Sequence, residues 1–251
     1  MIPLDPATSA PHAAQRLAAD GYVLLSPEAL AAIAGVPIAA LEALAPAWNA
    51  LPPDAHLRDG GRYRQRRHDS CVVELPTARL VPQPRRAHWQ PVEYNALHGG
   101  IERWFDPVLP AVSQDAAWQA LVGGLGRCFA EAARPASIER WFVESHQFRI
   151  HTAEGIGRPT PEGAHRDGVD YVAVILVERH GVKGGETRVF EADGPRGLRF
   201  TMTAPWSALL LDDARVIHET TPIQPAGDAV GRRDTLVLTY RRGGFQGPTG
   251  G

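Results

Sequence analysis

His165 and Asp167 stand two apart in "GAHRDGVDYV" (163–172), at the head of an apolar run that continues to Val177. Side chains alternate along an extended segment, so residues at i and i+2 point the same way and can grip one metal ion. An H-x-D pair alone arises often by chance. A second element adds weight: in "DDARVIHETTPI" (212–223), His218 sits in an apolar strand after a turn. Two histidines and one carboxylate on one side of an ion leave its other side open, the ligand set of mononuclear non-haem iron sites. Zinc accepts a similar set, so these ligands do not choose the metal. The chain holds ten histidines. His12, His56, His98 and His180 fall in helix or loop contexts and are expected at the surface. His146 and His151 share a strand but face opposite ways.

A third element favours iron. In "RRDTLVLTY" (232–240), Arg233 and Thr235 share a strand face. The guanidinium can hold a carboxylate through two parallel hydrogen bonds while the threonine hydroxyl donates another. A site that chelates a 2-oxo acid on iron needs such an anchor for the far carboxylate.

The elements that must position these residues can be read along the chain. "PHAAQRLAADG" reads as a helix closed by Gly21, "GYVLL" (21–25) as a short strand, and Ser26-Pro27 as the N-cap and first residue of a second helix. A further helix is expected over 37–51, interrupted near Pro46, then a loop at "PPDAHLRDGG". From about residue 62 the pieces "RYRQRRHDSCVVEL", "RLVPQP" and "HWQPVEYNALHGG" look strand-like. One long helix is predicted at about 113–132, with apolar residues spaced for one buried face. After Pro135, strands are expected at 138–152, 169–178, 186–192, 198–203, 207–213, 215–223 and 234–241, a density that argues for a sandwich or barrel. The reading is a single domain over 1–251: a mostly helical shoulder over 1–60 and a β-rich core over 62–245.

Composition narrows the function. Apolar residues make up 44% and charged residues 22%, and 26 basic against 28 acidic residues create no field that would draw nucleic acid or an anionic membrane. The arginines of "RYRQRR" (62–67) and "RRGG" (241–244) are expected on solvated edges and turns. No run approaches the roughly 20 apolar residues of a membrane span. The N-terminal stretch lacks the basic and apolar regions of a signal peptide. Cys71 and Cys128 have no CxxC spacing, so no disulfide framework or zinc knuckle is suggested, and the cytoplasm is the expected compartment. Oligomeric state is not legible.

Several segments together resemble the bacterial Fe(II)/2-oxoglutarate-dependent dioxygenases that hydroxylate free amino acids, the isoleucine dioxygenase type. They are "YNALHGGIERWFDP" (94–107), "HQFRI" (146–150), "EGAHRDGVDYV" (162–172), "GGET" (184–187), "DDARVIHETTPI" (212–223) and "RRDTLVLTY" (232–240). They run in family order over about residues 60–241; the first sixty residues match only in general character. The resemblance implies a double-stranded β-helix (jelly-roll, cupin-like) core. It further implies His165, Asp167 and His218 as ligands of Fe(II), and Arg233, with Thr235, as the 2-oxoglutarate anchor. O2 is then the oxidant, succinate and CO2 the co-products, and ascorbate an expected activator in vitro. Asp167 favours hydroxylation, because a halogenase of this class lacks that ligand so that chloride can bind.

Other residues carry two readings. Gln147 and Arg149 face one side of a strand whose other side carries His146, Phe148 and Ile150. They bind 2-oxoglutarate or a substrate carboxylate if the polar side lines the barrel, and otherwise face solvent. Asp170 could hold a substrate ammonium or cap the turn after Gly168. Tyr94 and Asn95 could belong to a substrate lid or be structural. Asp212 and Asp213 are expected to shape the turn before His218, and "GGE" (184–186) a hairpin. Trp141, Trp206 and Phe190 are expected in the core and Lys183 in solvent. A small zwitterion, a free L-amino acid or close derivative, is the expected substrate. The alternatives are the same chemistry on a peptidyl or carrier-bound metabolite, and a non-enzymatic metal-binding jelly roll.

Overall fold

The structure is a computed structural model that describes residues 9–95, 97–133 and 137–248. Pro135, the boundary expected before the strands, lies outside them. Two helices open the chain, α1 (Ala10–Asp20) and α2 (Pro27–Ala34), flanking β1 (Tyr22–Leu25). Gly21 closes α1 in the left-handed region, and the Ser26 hydroxyl caps α2 by accepting from the Ala29 N–H at 3.2 Å. The helix expected over 37–51 is split into α3 (Ile38–Glu42) and a 3₁₀ turn (Ala45–Ala50), because Pro46 cannot donate to an α-helical ladder. The strands β2 (Arg64–Glu74) and β3 (Arg79–Pro82) follow, then α4 (Pro110–Ser113) and α5 (Ala116–Ala132). The remaining strands are β4 (Arg140–His151), β5 (Tyr171–His180), β6 (Val182–Gly184), β7 (Thr187–Glu191), β8 (Gly197–Phe200), β9 (Ala208–Asp212), β10 (Val216–Thr220), β11 (Ile223–Pro225) and β12 (Arg232–Arg241).

Seven strands form one antiparallel sheet in the order β1-β9-β5-β12-β4-β2-β3. Against it lie two small antiparallel sheets, β10-β7-β8 and β11-β6. The long strands β4, β5 and β12 are almost wholly buried, because the large sheet is covered on both faces. On the outer face Trp141, Val143, Tyr171, Ala173, Ile175, Leu236, Leu238 and Tyr240 pack with Leu17, Leu30, Trp48, Leu121, Leu125 and Phe129 of the helical layer. Gly124 lets α5 approach α2 closely, since a Cβ there would overlap the Ile33 carbonyl. The opposite residues of the same strands, Val172, Val174, Leu176 and Val237, meet Val189 and Val216 of the small sheet. Truncating one such buried leucine or phenylalanine to alanine costs roughly 2–5 kcal/mol. The helical layer therefore stiffens the sheet from behind, and its inner face is free to build a site.

Three expectations are corrected. "HWQPVEYNALHGG" is not a strand: its described residues are turns, tied back by a two-way backbone pairing of His88 with Arg103 at 2.9 and 3.0 Å. Pro91 supplies no N–H for a ladder, and the segment becomes a strap across the sheet's inner face. Phe190 is 37% exposed because β7 sits in the small, one-sided sheet, whereas Trp141 and Trp206 are buried as expected. "HGVKGGE" includes the short strand β6, with Gly184 and Gly185 at φ 77° and 67°. Cys71 and Cys128 are free thiols. Among the described residues no single helix is long and apolar enough to cross a membrane.

Candidate active site

The loop carrying His165 and Asp167 runs along β10 and β11, stitched by backbone pairing at Gly157–Ile223 and His165–His218. The Thr160 hydroxyl adds a bond to the Thr220 carbonyl at 3.0 Å and accepts from the Thr220 N–H at 3.1 Å. Pairing His165 with His218 sets their rings side by side, centroids 4.8 Å apart. Asp167 closes the triangle: its two oxygens lie 3.7 Å from His165 Nε2 and 3.8 Å from His218 Nε2. The donor atoms of the three all fall within 4.8 Å of one another.

These residues suit a divalent ion. His165 Nδ1 donates to the Gly163 carbonyl at 2.9 Å, which turns Nε2 toward the gap. Metal-bound histidines are oriented in this way. Gln90 donates to Asp167 Oδ1 at 3.1 Å. Burial opposes charge on His165, but Asp167 beside it wins and pushes the imidazole up to about 10. Burial likewise works against an ionised Asp167, yet the His165 imidazolium beside it holds that carboxyl well below its usual range. Burial, with the His165 charge nearby, brings His218 down to about 4. A proton on His165 thus balances Asp167 until an ion takes its place.

The loop is held from behind. Asp213, fully buried, accepts from the backbone N–H groups of Asp167 (3.0 Å), Gly168 (2.8 Å) and Val169 (3.1 Å). Burial and the nearby Asp167 charge push its carboxyl up to about 7 against those three donors. Gln246 donates to the carbonyls of Asp167 (3.2 Å) and Gly168 (2.7 Å). Gly168 is required twice: its φ is +75°, and a Cβ would strike the Tyr94 ring.

A cavity of about 110 Å³ opens beside the triad. Arg233 and Thr235 line it, as do Phe148, Ile150, Val174 and Val237 from the inner face of the sheet. A register shift in the β12–β5 pairing falls between Asp234 and Thr235, next to Arg233. Arg233 is buried, and its Nε and Nη2 have no partner among the described residues, a cradle for an anion. Arg232 points the other way and pairs with Glu178 at 2.9 Å.

The structure does not bring all the expected residues here. Gln147 and Arg149 lie on the helix-facing side of β4. Arg149 is engaged with Asp234 (2.8 and 2.6 Å) and Asn49 (3.0 Å), so it cannot bind a ligand in the cavity. The cavity takes the other side of that strand, His146, Phe148 and Ile150. Asp170 accepts from the Arg242 backbone N–H and guanidinium at 2.9 and 2.7 Å, outside the cavity, so it is not placed to meet an ammonium there. Tyr94 buttresses Gly168 without lining the cavity. Asn95 does line it, bonded to Gln90 (3.1 Å) and accepting from the His98 N–H (2.7 Å). His98 is buried in the cavity wall, not at the surface.

The cavity also contains residues that sequence reasoning missed. Arg64 and Arg66, expected at a solvated edge, are buried in its wall with His88, Gln90 and Arg103, and the half-buried Glu162 lines it as well. The missed signal was alternation: Arg64, Arg66 and His68 occur at every second position of β2, so they share one face. Behind this wall His68, His88, Glu144 and His146 form a second cluster, their donor atoms also within 4.8 Å of one another. Burial pushes His88 down to about 3, so the neutral ring donates from Nδ1 to ionised Glu144 at 2.9 Å. Arg66 donates to His146 Nδ1 at 2.8 Å, which fixes that ring's proton on Nε2. A metal bound at Nε2 would have to displace that last proton beside a guanidinium. The cluster is better suited to hydrogen-bond relay than to a cation.

The comparisons with known proteins agree with this geometry. The model of the 2OG-Fe dioxygenase family matches residues 45–239. The crystal structure of a bsmA homolog from Methylobium petroleophilum PM1 is 53% identical over 96% of each chain, with a TM-score of 0.90. IDO from Bacillus thuringiensis superposes with a TM-score of 0.74 at 16% identity, covering 94% of this chain and 96% of that one. The Fe(II)/(alpha)ketoglutarate-dependent dioxygenase TqaL gives 0.70 at 19% identity, covering 93% and 87%. At these identities the last two speak for the fold alone. No curated protein matches the chain.

Proposed function

The chain belongs to the 2OG-Fe dioxygenase family, and on that premise we propose that it hydroxylates an unactivated C–H bond of a free L-amino acid or close derivative. His165, Asp167 and His218 hold Fe(II) in this reading, and Arg233 with Thr235 takes the far carboxylate of 2-oxoglutarate. Fe(II), 2-oxoglutarate and O2 supply the oxidising chemistry when bound, with succinate and CO2 released. The chain's own residues do the positioning. His165 is fixed in its ligand tautomer by Gly163, and Asp167 is held by Gln90 and the Asp213-braced loop. Arg233 offers a buried charge whose remaining hydrogens are free for a carboxylate. The full 2-His-1-carboxylate set supports hydroxylation over halogenation.

The observation that carries the substrate class is the strap. Gln90, Asn95, His98 and Arg103 are all buried and all line the cavity, so the segment forms a roof over part of the site. A cavity of about 110 Å³ under such a roof suits a small molecule. A polypeptide or carrier-bound substrate needs an open groove. The test is a screen of the twenty L-amino acids with Fe(II), ascorbate and 2-oxoglutarate, read by mass for one added oxygen and by succinate release. A product gaining one oxygen supports the reading. Oxidation of a peptide but of none of the twenty would refute it.

A further inference from the structure

The wall that faces the triad carries charges that do not pair with one another. Arg64 is neutralised by Asp54 at 2.7 Å. Arg66 and Arg103 are only 3% and 2% exposed, and among the described residues neither has a carboxylate oxygen within 4.0 Å. Each leaves its Nε without a hydrogen-bond partner. Arg66 is clasped between Phe105 and Phe148, its guanidinium carbon 3.9 and 4.6 Å from their ring centres. Arg103 is held by Gln90 Oε1 at 2.9 Å, and the same Gln90 amide donates to Asp167. A guanidinium is thus fixed on the Asp167 flank of the triad.

A carboxylate stands on the other flank. Glu162, its side chain 13% exposed, lies with Oε1 at 3.6 Å from His165 Nε2, and its buried Oε2 has no partner. An ion on His165 Nε2 would replace the proton that this nitrogen can offer to Glu162. Glu162 does not join the three ligands, whose donors converge without it. It is close enough to Arg103 to act on its charge, yet the two form no ion pair. An orphaned buried polar group costs roughly 1–3 kcal/mol, so such atoms call for a water, an ion or a ligand as partner. A carboxylate and a guanidinium that line one cavity, each with an unpartnered buried atom, complement a small molecule that carries both charges in the opposite sense.

We propose that Glu162 receives the α-ammonium of the substrate while Arg103, backed by Arg66, receives its α-carboxylate, a two-point clamp beside the triad. The proposal rests on the amino-acid reading above and names the residues that would enforce it. It also moves the ammonium contact from Asp170, which is spent on Arg242, to a carboxylate in the cavity.

The test pairs two variants with two chemical edits of the substrate. Glu162→Gln keeps the shape and removes the charge; Arg103→Lys keeps the charge and removes the fork. The twenty L-amino acids are assayed beside their N-acetyl and carboxamide derivatives, with folding checked by thermal melting. For any amino acid that the wild type oxidises, Glu162→Gln should raise KM about 10- to 100-fold, the loss expected for one charge-assisted bond. The KM for 2-oxoglutarate should stay within about threefold, and N-acetylation, which removes the same cation, should add little further loss in that variant. Arg103→Lys should raise the same KM through loss of the fork, and because its cation remains, the carboxamide should still be bound more weakly than the free acid by this variant. Normal KM for a free amino acid in Glu162→Gln overturns the clamp and leaves the amino-acid reading standing. Failure of the wild type on all twenty, with 2-oxoglutarate still consumed, overturns both.

Discussion

Replacing Asp213 by asparagine tests whether the loop behind the triad is held by one carboxylate. Its Oδ1 accepts from the Asp167 N–H, and its Oδ2 accepts from Gly168 and Val169. An asparagine can supply one carbonyl oxygen; its NH2 must then confront at least one of the three donors. One orphaned buried N–H costs about 1–3 kcal/mol, and the lost charge weakens the bonds that remain. Repulsion from Asp167 opposes this, because the two carboxylates are close enough to push Asp213 up to about 7. In the metal-free chain the substitution relieves that repulsion, so its net cost is small. An ion on Asp167 cancels the repulsion, and then the full loss appears. The expected result is a metal affinity lower by about 10- to 100-fold, as for other residues that orient ligands. That range equals roughly 1.4–2.7 kcal/mol, in line with the orphaned donor. Calorimetric titration with Mn(II), a redox-inert stand-in for Fe(II), measures it, and thermal melting with and without Mn(II) shows whether the loss falls on the metal-bound state. Equal Mn(II) affinity in wild type and Asp213→Asn would refute the reasoning.

Other substitutions separate the ligands from the anchor. His165→Ala, Asp167→Ala and His218→Ala should each abolish succinate formation while melting near the wild type, since the sheet behind them is untouched; full activity with iron present in any of them would reassign the site. Arg233→Leu should raise the KM for 2-oxoglutarate steeply with Mn(II) binding retained, whereas Arg232→Leu, which breaks pairs with Glu178 and Asp234 outside the cavity, should change it by less than about twofold. Metal affinity should rise with pH: His165 holds its proton up to about 10 in the metal-free site, so below that value each ion bound must expel one. Between pH 8 and 9, above the value near 7 to which Asp213 is pushed, the apparent affinity should climb about tenfold per unit, and titration in buffers of different ionisation enthalpy should count about one proton released. A pH-independent affinity would show that His165 is neutral before the metal arrives.

What was legible in the sequence was whatever rests on period and local chemistry. Near-continuous apolar runs in "VDYVAVILVE" and "DTLVLTY" mark strands buried on both faces, Gly21 and Ser26 mark helix ends, and the i, i+2 spacing of H-x-D sets His165 and Asp167 side by side. Arg233 and Thr235 were placed on one face by the same rule, and the cavity lies on that face. Period does not say which face of a strand is the inside. For β4 the helices of the first fifty residues settle it: they cover the Gln147 and Arg149 side and turn His146, Phe148 and Ile150 toward the cavity. Nor does local sequence reveal partners distant along the chain. Asp170 is taken by Arg242, Arg64 by Asp54, and the strap from His88 to Arg103 is laid over the triad by a backbone pairing between its own ends. Ligand spacing is a property of a few adjacent residues, but the pocket around the ligands depends on which long-range pairs win the competition for each buried charge. Only the folded chain decides that.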